Sequence, residues 1–201
     1  MTDLRAFWWL FAFRGAFAIL FAALISFAGS LLGTIFFDPI MLVYFSLLLG
    51  FFVLGNGILL VIGAIFSLEH HVRFWWMMLG ESLLALALGV YIGASLHTTS
   101  HSLAYLAGLH ALFRMVFQFH LAIKLRQDRA WAAFIGFSGL ISLLMAALFL
   151  LHRDDSIRTI SVWLSSYEAV FGSLTLCFAI VLHRLRNTPT QSNPFSIDSC
   201  G

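Results

Sequence analysis

The chain has 201 residues, of which 61% are hydrophobic and 10% charged, with a mean hydropathy of +0.97. That composition lies well outside the range of soluble domains and identifies a membrane protein. The formal net charge of +2 excludes the basic surface that a nucleic-acid partner needs, and the two cysteines, Cys177 and Cys200, make no disulfide framework.

The apolar stretches are predicted to form six spans, at about 7–28, 40–66, 74–96, 102–123, 131–151 and 160–182. Each approximates the 20 or so residues a helix needs to cross about 30 Å of hydrocarbon. The expected fold is an all-α membrane protein of six transmembrane helices, built from three repeated helical hairpins at about 5–68, 73–125 and 130–186 within one domain, 1–186. The six spans leave no room for a soluble catalytic domain.

Within the first hairpin, Phe7-Trp8-Trp9 precedes Arg14, which heads a stripe of small residues, Ala18, Ala22 and Ser26. The first span is too long for the core of a cleavable signal peptide and reads as a retained signal anchor. The stretch 28–37 is apolar and makes the first outer connection nine residues longer than the others, since Arg14 to Glu81 is 67 positions but Gly50 to Gly108 only 58. Asp38-Pro39 then reads as a helix start, with an acidic cap and proline in the first turn. Gly50, Gly57 and Gly63 recur at near-helical spacing, the signature of close packing in lipid.

In the second hairpin, Phe74-Trp75-Trp76 precedes Glu81, and the stripe below is Ala85, Gly89 and Gly93. His97 and His101 fall in the outer connection. With His152 they are candidate pH-sensing residues, since histidine gains charge on mild acidification. Two histidines at helical spacing do not make a metal site, which needs three or four ligands. In the fourth span His110, Arg114 and Gln118 are spaced by four and share one face.

The third hairpin repeats the second at 57 positions without a gap: Trp131 precedes Ser138, with Ser142 and Ala146 below. The sixth span carries Glu168 and Cys177, the latter read as a small packing residue. Beyond Arg186 the residues 187–201 are polar and helix-breaking and read as a disordered tail.

Arg5, Arg73, Lys124, Arg126, Arg129, Arg184 and Arg186 fall on one side, against Arg153 and Arg158 on the other. The positive-inside rule therefore places both termini in the cytoplasm of a multi-pass inner-membrane protein. The tryptophans Trp8, Trp9, Trp75, Trp76 and Trp131 then belong to the cytoplasmic interface.

Four charges, Arg14, Glu81, Arg114 and Glu168, lie within the spans and sum to zero. An unpaired charge at a helix centre costs about 2.5 to 3.5 kcal/mol on insertion scales, so each is expected to face the interior and find a partner. Arg14 and Glu81 are expected to pair at equal depth on helices brought together by their small stripes. Arg114 is expected to reach either Glu168 or Glu81. Two readings follow: charge pairs that fix which helix meets which, or a polar file of Glu81, Glu168, Arg114, His110 and Gln118 that relays or senses protons. No phosphate-cradling loop, HExxH or GxSxG occurs, so no enzymatic activity, cofactor or metal is expected.

Trp8-Trp9 before Arg14-Gly15, Trp75-Trp76 before Gly80-Glu81, Asp38-Pro39 at the outer turn and Gly50 with Gly57 together resemble the HdeD family of bacterial acid-resistance inner-membrane proteins. The resemblance runs over about residues 5–186. The outer proline does not recur in the second and third hairpins. The resemblance implies a non-enzymatic role in acid or envelope stress in the bacterial inner membrane and transfers no catalytic residue. A small transporter or proton-conducting protein, and a scaffold or assembly subunit, are the alternatives. Expected partners are the lipid bilayer and either another membrane protein or further copies of this chain, met through its phenylalanine-rich faces.

Overall fold

The structure is a computed structural model and describes residues 8–32, 38–69, 75–94, 99–124, 126, 129–152 and 156–187. These form six helices, α1 (Trp8–Leu32), α2 (Asp38–Glu69), α3 (Trp75–Ala94), α4 (Ser100–Lys124), α5 (Arg129–Leu151) and α6 (Ile157–Asn187), with no strand among the described residues. All six are long and apolar enough to cross a membrane, and the chain is a multi-pass membrane protein. Residues 1–7, the end of the long first connection (33–37), His97 and the tail beyond Asn187 lie outside the described residues; the expectations made for them are not addressed by the structure.

The helix starts follow local chemistry. Thr99 and Ser102 cap α4 reciprocally: the Ser102 amide donates to Thr99 Oγ1 at 3.2 Å and the Thr99 amide to Ser102 Oγ at 2.8 Å. Ser156 does the same for α6 by accepting from the Thr159 amide at 3.3 Å. α2 opens at Asp38-Pro39, where the missing proline N–H leaves no helical bond unmade.

The helices do not pair chiefly within the expected hairpins. The most extensive packing is α1 on α6, α2 on α3 and α4 on α5, and the pairs inside the expected hairpins, α1·α2, α3·α4 and α5·α6, touch far less. Short connections keep sequential helices adjacent, but small residues decide which of them approach closely. A Cβ on Gly15 would lie 2.8 Å from the Gly172 carbonyl oxygen, and one on Gly172 2.8 Å from that of Gly15, so backbone meets backbone where α1 crosses α6. α2 meets α3 likewise, a Cβ on Gly89 falling 2.8 Å from the Leu54 amide nitrogen and one on Gly50 3.0 Å from that of Gly93.

This pairing corrects one expectation. The small stripes below Arg14 and Glu81 do not bring α1 and α3 together; Gly89 faces α2 instead, the Gly93 backbone lies beside Gly50, and Ser26 is exposed. Cys177, expected to pack, is exposed on α6.

α2, α4 and α6 carry more of their spans buried than α1, α3 and α5 and form the inner layer. Along them, positions 58 and then 57 residues apart share the same burial: Leu49, Ala107 and Leu164; Phe52, His110 and Tyr167; Val53, Ala111 and Glu168; Asn56, Arg114 and Phe171. The outer helices behave similarly at spacings of 67 and 57, with Ala18, Ala85 and Ser142, and then Ile25, Ile92 and Phe149, all buried. Large apolar residues such as Phe13, Phe27, Phe51 and Leu144 cover the outside, as a surface in contact with lipid requires.

Candidate functional site

Buried polar side chains occur along much of the bundle, and the charged ones meet at two depths. Arg14 and Glu81 each lie six residues into their helices, about 9 Å along the axis at 1.5 Å per residue. Arg14 Nη2 donates to Glu81 Oε1 at 2.6 Å, and the two side chains are 12% and 15% exposed. Since α1 and α3 do not pack along their length, the pair is made by reach of the side chains across the bundle. It lies on a cavity of about 120 Å³ to which all six helices contribute. Ser138, which stands in α5 where Arg14 and Glu81 stand in α1 and α3, lines the same cavity.

Deeper in, Arg114 Nη1 donates to both oxygens of Glu168, at 2.8 and 3.1 Å, with both side chains 1% exposed. Of the two partners open to Arg114, Glu168 is the one it takes. Its guanidinium carbon lies 4.4 Å from the centre of the Phe171 ring, 5.7 Å from Phe52 and 5.9 Å from Tyr167. Those three rings supply cation–π attraction, strongest where water is excluded, and partly offset the absence of hydrogen-bond partners for Arg114 Nε and Nη2. Phe171 serves both pairs, since Arg14 Cζ is 5.6 Å from the same ring.

A third polar group joins α4, α5 and α6. Gln118 Nε2 donates to Ser138 Oγ at 3.0 Å, Ser142 Oγ donates to Gln118 Oε1 at 3.2 Å, and the Ser142 and Tyr167 hydroxyls are 3.0 Å apart. Ser142 Oγ shares its one hydrogen between Gln118 Oε1 and the Ser138 carbonyl, at 3.1 Å, so the Tyr167 hydroxyl is the donor to Ser142. Gln118 thus engages hydroxyls, and neither charge pair is its direct partner. His110 is buried one turn from Arg114, with no protein partner for Nε2. Asn56 is 1% exposed and finds no partner for either atom of its amide.

The outer histidines are dispersed. His101 is exposed in the first turn of α4, and His152, at the end of α5, sets its ring edge-on to Trp163 at 5.2 Å. Among the described residues no three His, Cys, Asp or Glu side chains are grouped to hold a metal. At the opposite end, tryptophans of the outer helices meet histidines of the inner ones, Trp8 against His183 at 4.4 Å and Trp76 against His120 at 6.0 Å.

The sequence reading overlooked Tyr167, Ser142 and Asn56 as members of the polar interior, and Phe171 as the ring that both arginines face. A signal for two of them was present: Asn56 stands 58 positions before Arg114, and Tyr167 57 positions after His110. Chemically, the arrangement holds charge, neutralises it locally and joins helices. The chain matches no known family model, no curated protein and no solved structure.

Proposed function

We propose that this protein is a non-enzymatic, multi-pass component of a bacterial inner membrane, of the HdeD type, with both termini in the cytoplasm, that serves in resistance to acid or envelope stress. In this reading the chain is a threefold array of hairpins, and its buried ions hold the array together. The observation that supports it is the closure of both intramembrane pairs: each of Arg14, Glu81, Arg114 and Glu168 meets a partner of opposite charge on another helix. In this reading paired buried ions specify which helices meet, since a charge left without its partner is strongly destabilising. The sequence resemblance carried by Trp8-Trp9, Arg14-Gly15, Gly80-Glu81 and Asp38-Pro39 adds the stress role.

The test is survival of cells lacking the gene, challenged with acid and with envelope-damaging agents. A defect restored by the wild-type chain and also by a folded Arg14→Leu/Glu81→Leu variant supports the reading. No defect under either stress overturns it.

A second reading, proton conduction or sensing, draws on the run of hydroxyl and amide groups from Ser138 through Gln118 and Ser142 to Tyr167, beside Glu168. It requires pH-driven proton uptake in liposomes that is lost in a folded Glu81→Gln or Glu168→Gln variant.

A further inference from the structure

We propose that the cavity at Arg14 and Glu81 is a binding site for a small neutral amphiphile, an aromatic ring bearing a hydroxyl, of about the size of phenol. Volume sets the size: about 120 Å³ is close to the roughly 150 Å³ of an apolar protein cavity known to admit benzene. The walls set the body of the guest. Phe11, Phe117, Phe134, Phe178 and Met77 line the cavity, and aromatic and thioether groups favour an aromatic ring edge-on or offset-stacked.

The polar corner sets the head. Arg14 and Glu81 both line the cavity and are joined through Arg14 Nη2 and Glu81 Oε1 alone. A hydroxyl answers both groups, accepting from the guanidinium and donating to the carboxylate. Charge decides against an ionic guest: the pair cancels, so a carboxylate meets Glu81 and an ammonium meets Arg14, each at close range. Access distinguishes this site from the deeper pair, because Arg14 and Glu81 keep 12% and 15% of their side chains exposed whereas Arg114 and Glu168 keep 1%. The site also lies about two turns inside Trp8 and Trp75, near the interfacial depth that groups with one apolar and one wet end prefer.

The experiment uses the full chain in lipid nanodiscs and 4-fluorophenol as the probe, followed by fluorine NMR, with fluorobenzene and 4-fluorobenzoate as controls. Saturable binding of 4-fluorophenol is expected, with fluorobenzene weaker by about ten-fold or more because it lacks the hydrogen bonds to charged groups, and 4-fluorobenzoate weaker still. Thr175→Phe, which fills the cavity from α6, is expected to abolish binding in a protein that remains monodisperse. Glu81→Gln is expected to narrow the preference for fluorophenol over fluorobenzene. Equal affinity for the two neutral probes, a signal no greater than that of empty nanodiscs, or binding undiminished in folded Thr175→Phe would each overturn the proposal. If Thr175→Phe does not fold, the selectivity of the wild-type chain alone decides. Failure of the site would leave the stress reading untouched, since that reading rests on closure of the charge pairs and on the sequence resemblance.

Discussion

Arg14 and Glu81 meet through one hydrogen bond beside a cavity, each keeping more than a tenth of its side chain exposed; Arg114 and Glu168 meet through two, at 1% exposure, against three aromatic rings. The same pair of residue types therefore does two jobs. The deep pair is sealed from water, so Glu168 depends on Arg114, and Arg114 on Glu168 and the three rings around it. The shallow pair retains alternatives, and its groups remain available to a third party. What separates them is depth in the bundle, since both join helices that are distant in sequence.

The comparison is broken most severely at Glu168. Replacing it with Gln removes the charge that compensates Arg114 while leaving the guanidinium sealed among Phe52, Tyr167 and Phe171, and a loss of about 3–5 kcal/mol is expected. Unfolding titrations in mixed micelles measure it. The double replacement Arg114→Leu/Glu168→Leu is expected to recover most of that loss, because two apolar side chains need no partner there. A double variant worse than Glu168→Gln would show that the pair supplies more than mutual neutralisation.

Next in size is the crossing of α1 and α6. Gly172→Val places methyl groups where the Gly15 carbonyl oxygen is already 2.8 Å from the position of a Cβ. Neither backbone yields without separating the helices, and about 1–3 kcal/mol of destabilisation is expected. Since α1 carries Arg14, the same variant is expected to loosen the Arg14–Glu81 contact, read as faster exchange of the Arg14 side-chain protons by NMR.

The shallow pair responds less. Glu81→Gln is expected to cost about 1–2 kcal/mol, since a hydrogen bond to Arg14 remains open to the glutamine oxygen and the site retains access to water. Combining Arg14→Leu with Glu81→Leu is expected to leave a folded protein, with a coupling energy of about 0.5–3 kcal/mol in a double-mutant cycle. A coupling as large as that at Arg114–Glu168 would erase the distinction between the pairs.

The fold was readable in the sequence because a helix in lipid must be long and apolar, and both properties are written locally. The Arg14–Glu81 pair was readable too, since two opposite charges at equal depth in a dry medium have few other places to go. The helix pairing was not. Lipid provides no hydrophobic force to say which face goes inside, so close approach is decided by glycines such as Gly15 and Gly172, whose meeting requires knowledge of both helices at once. The hydroxyls of Ser142 and Tyr167 were hidden for the same reason: each is unremarkable in its own helix and acquires meaning only through its neighbour across the interface.

Asn56 provides the smallest and most discriminating contrast. It stands in α2 at the level where α4 carries Arg114 and α6 carries Phe171, yet its amide has no partner for either polar atom while its side chain is 1% exposed. A buried, unpartnered amide opposes folding, and a side chain of similar volume without polar atoms removes that penalty. Asn56→Leu is therefore expected to raise stability by about 1 kcal/mol and leave both ion pairs intact. A loss of similar size would instead mean that the Asn56 amide is satisfied in the membrane by ordered water. The polar interior would then extend across the axis of the inner helices, from the Arg114 level into α2, and the deep pair would be less sealed than its side-chain burial indicates.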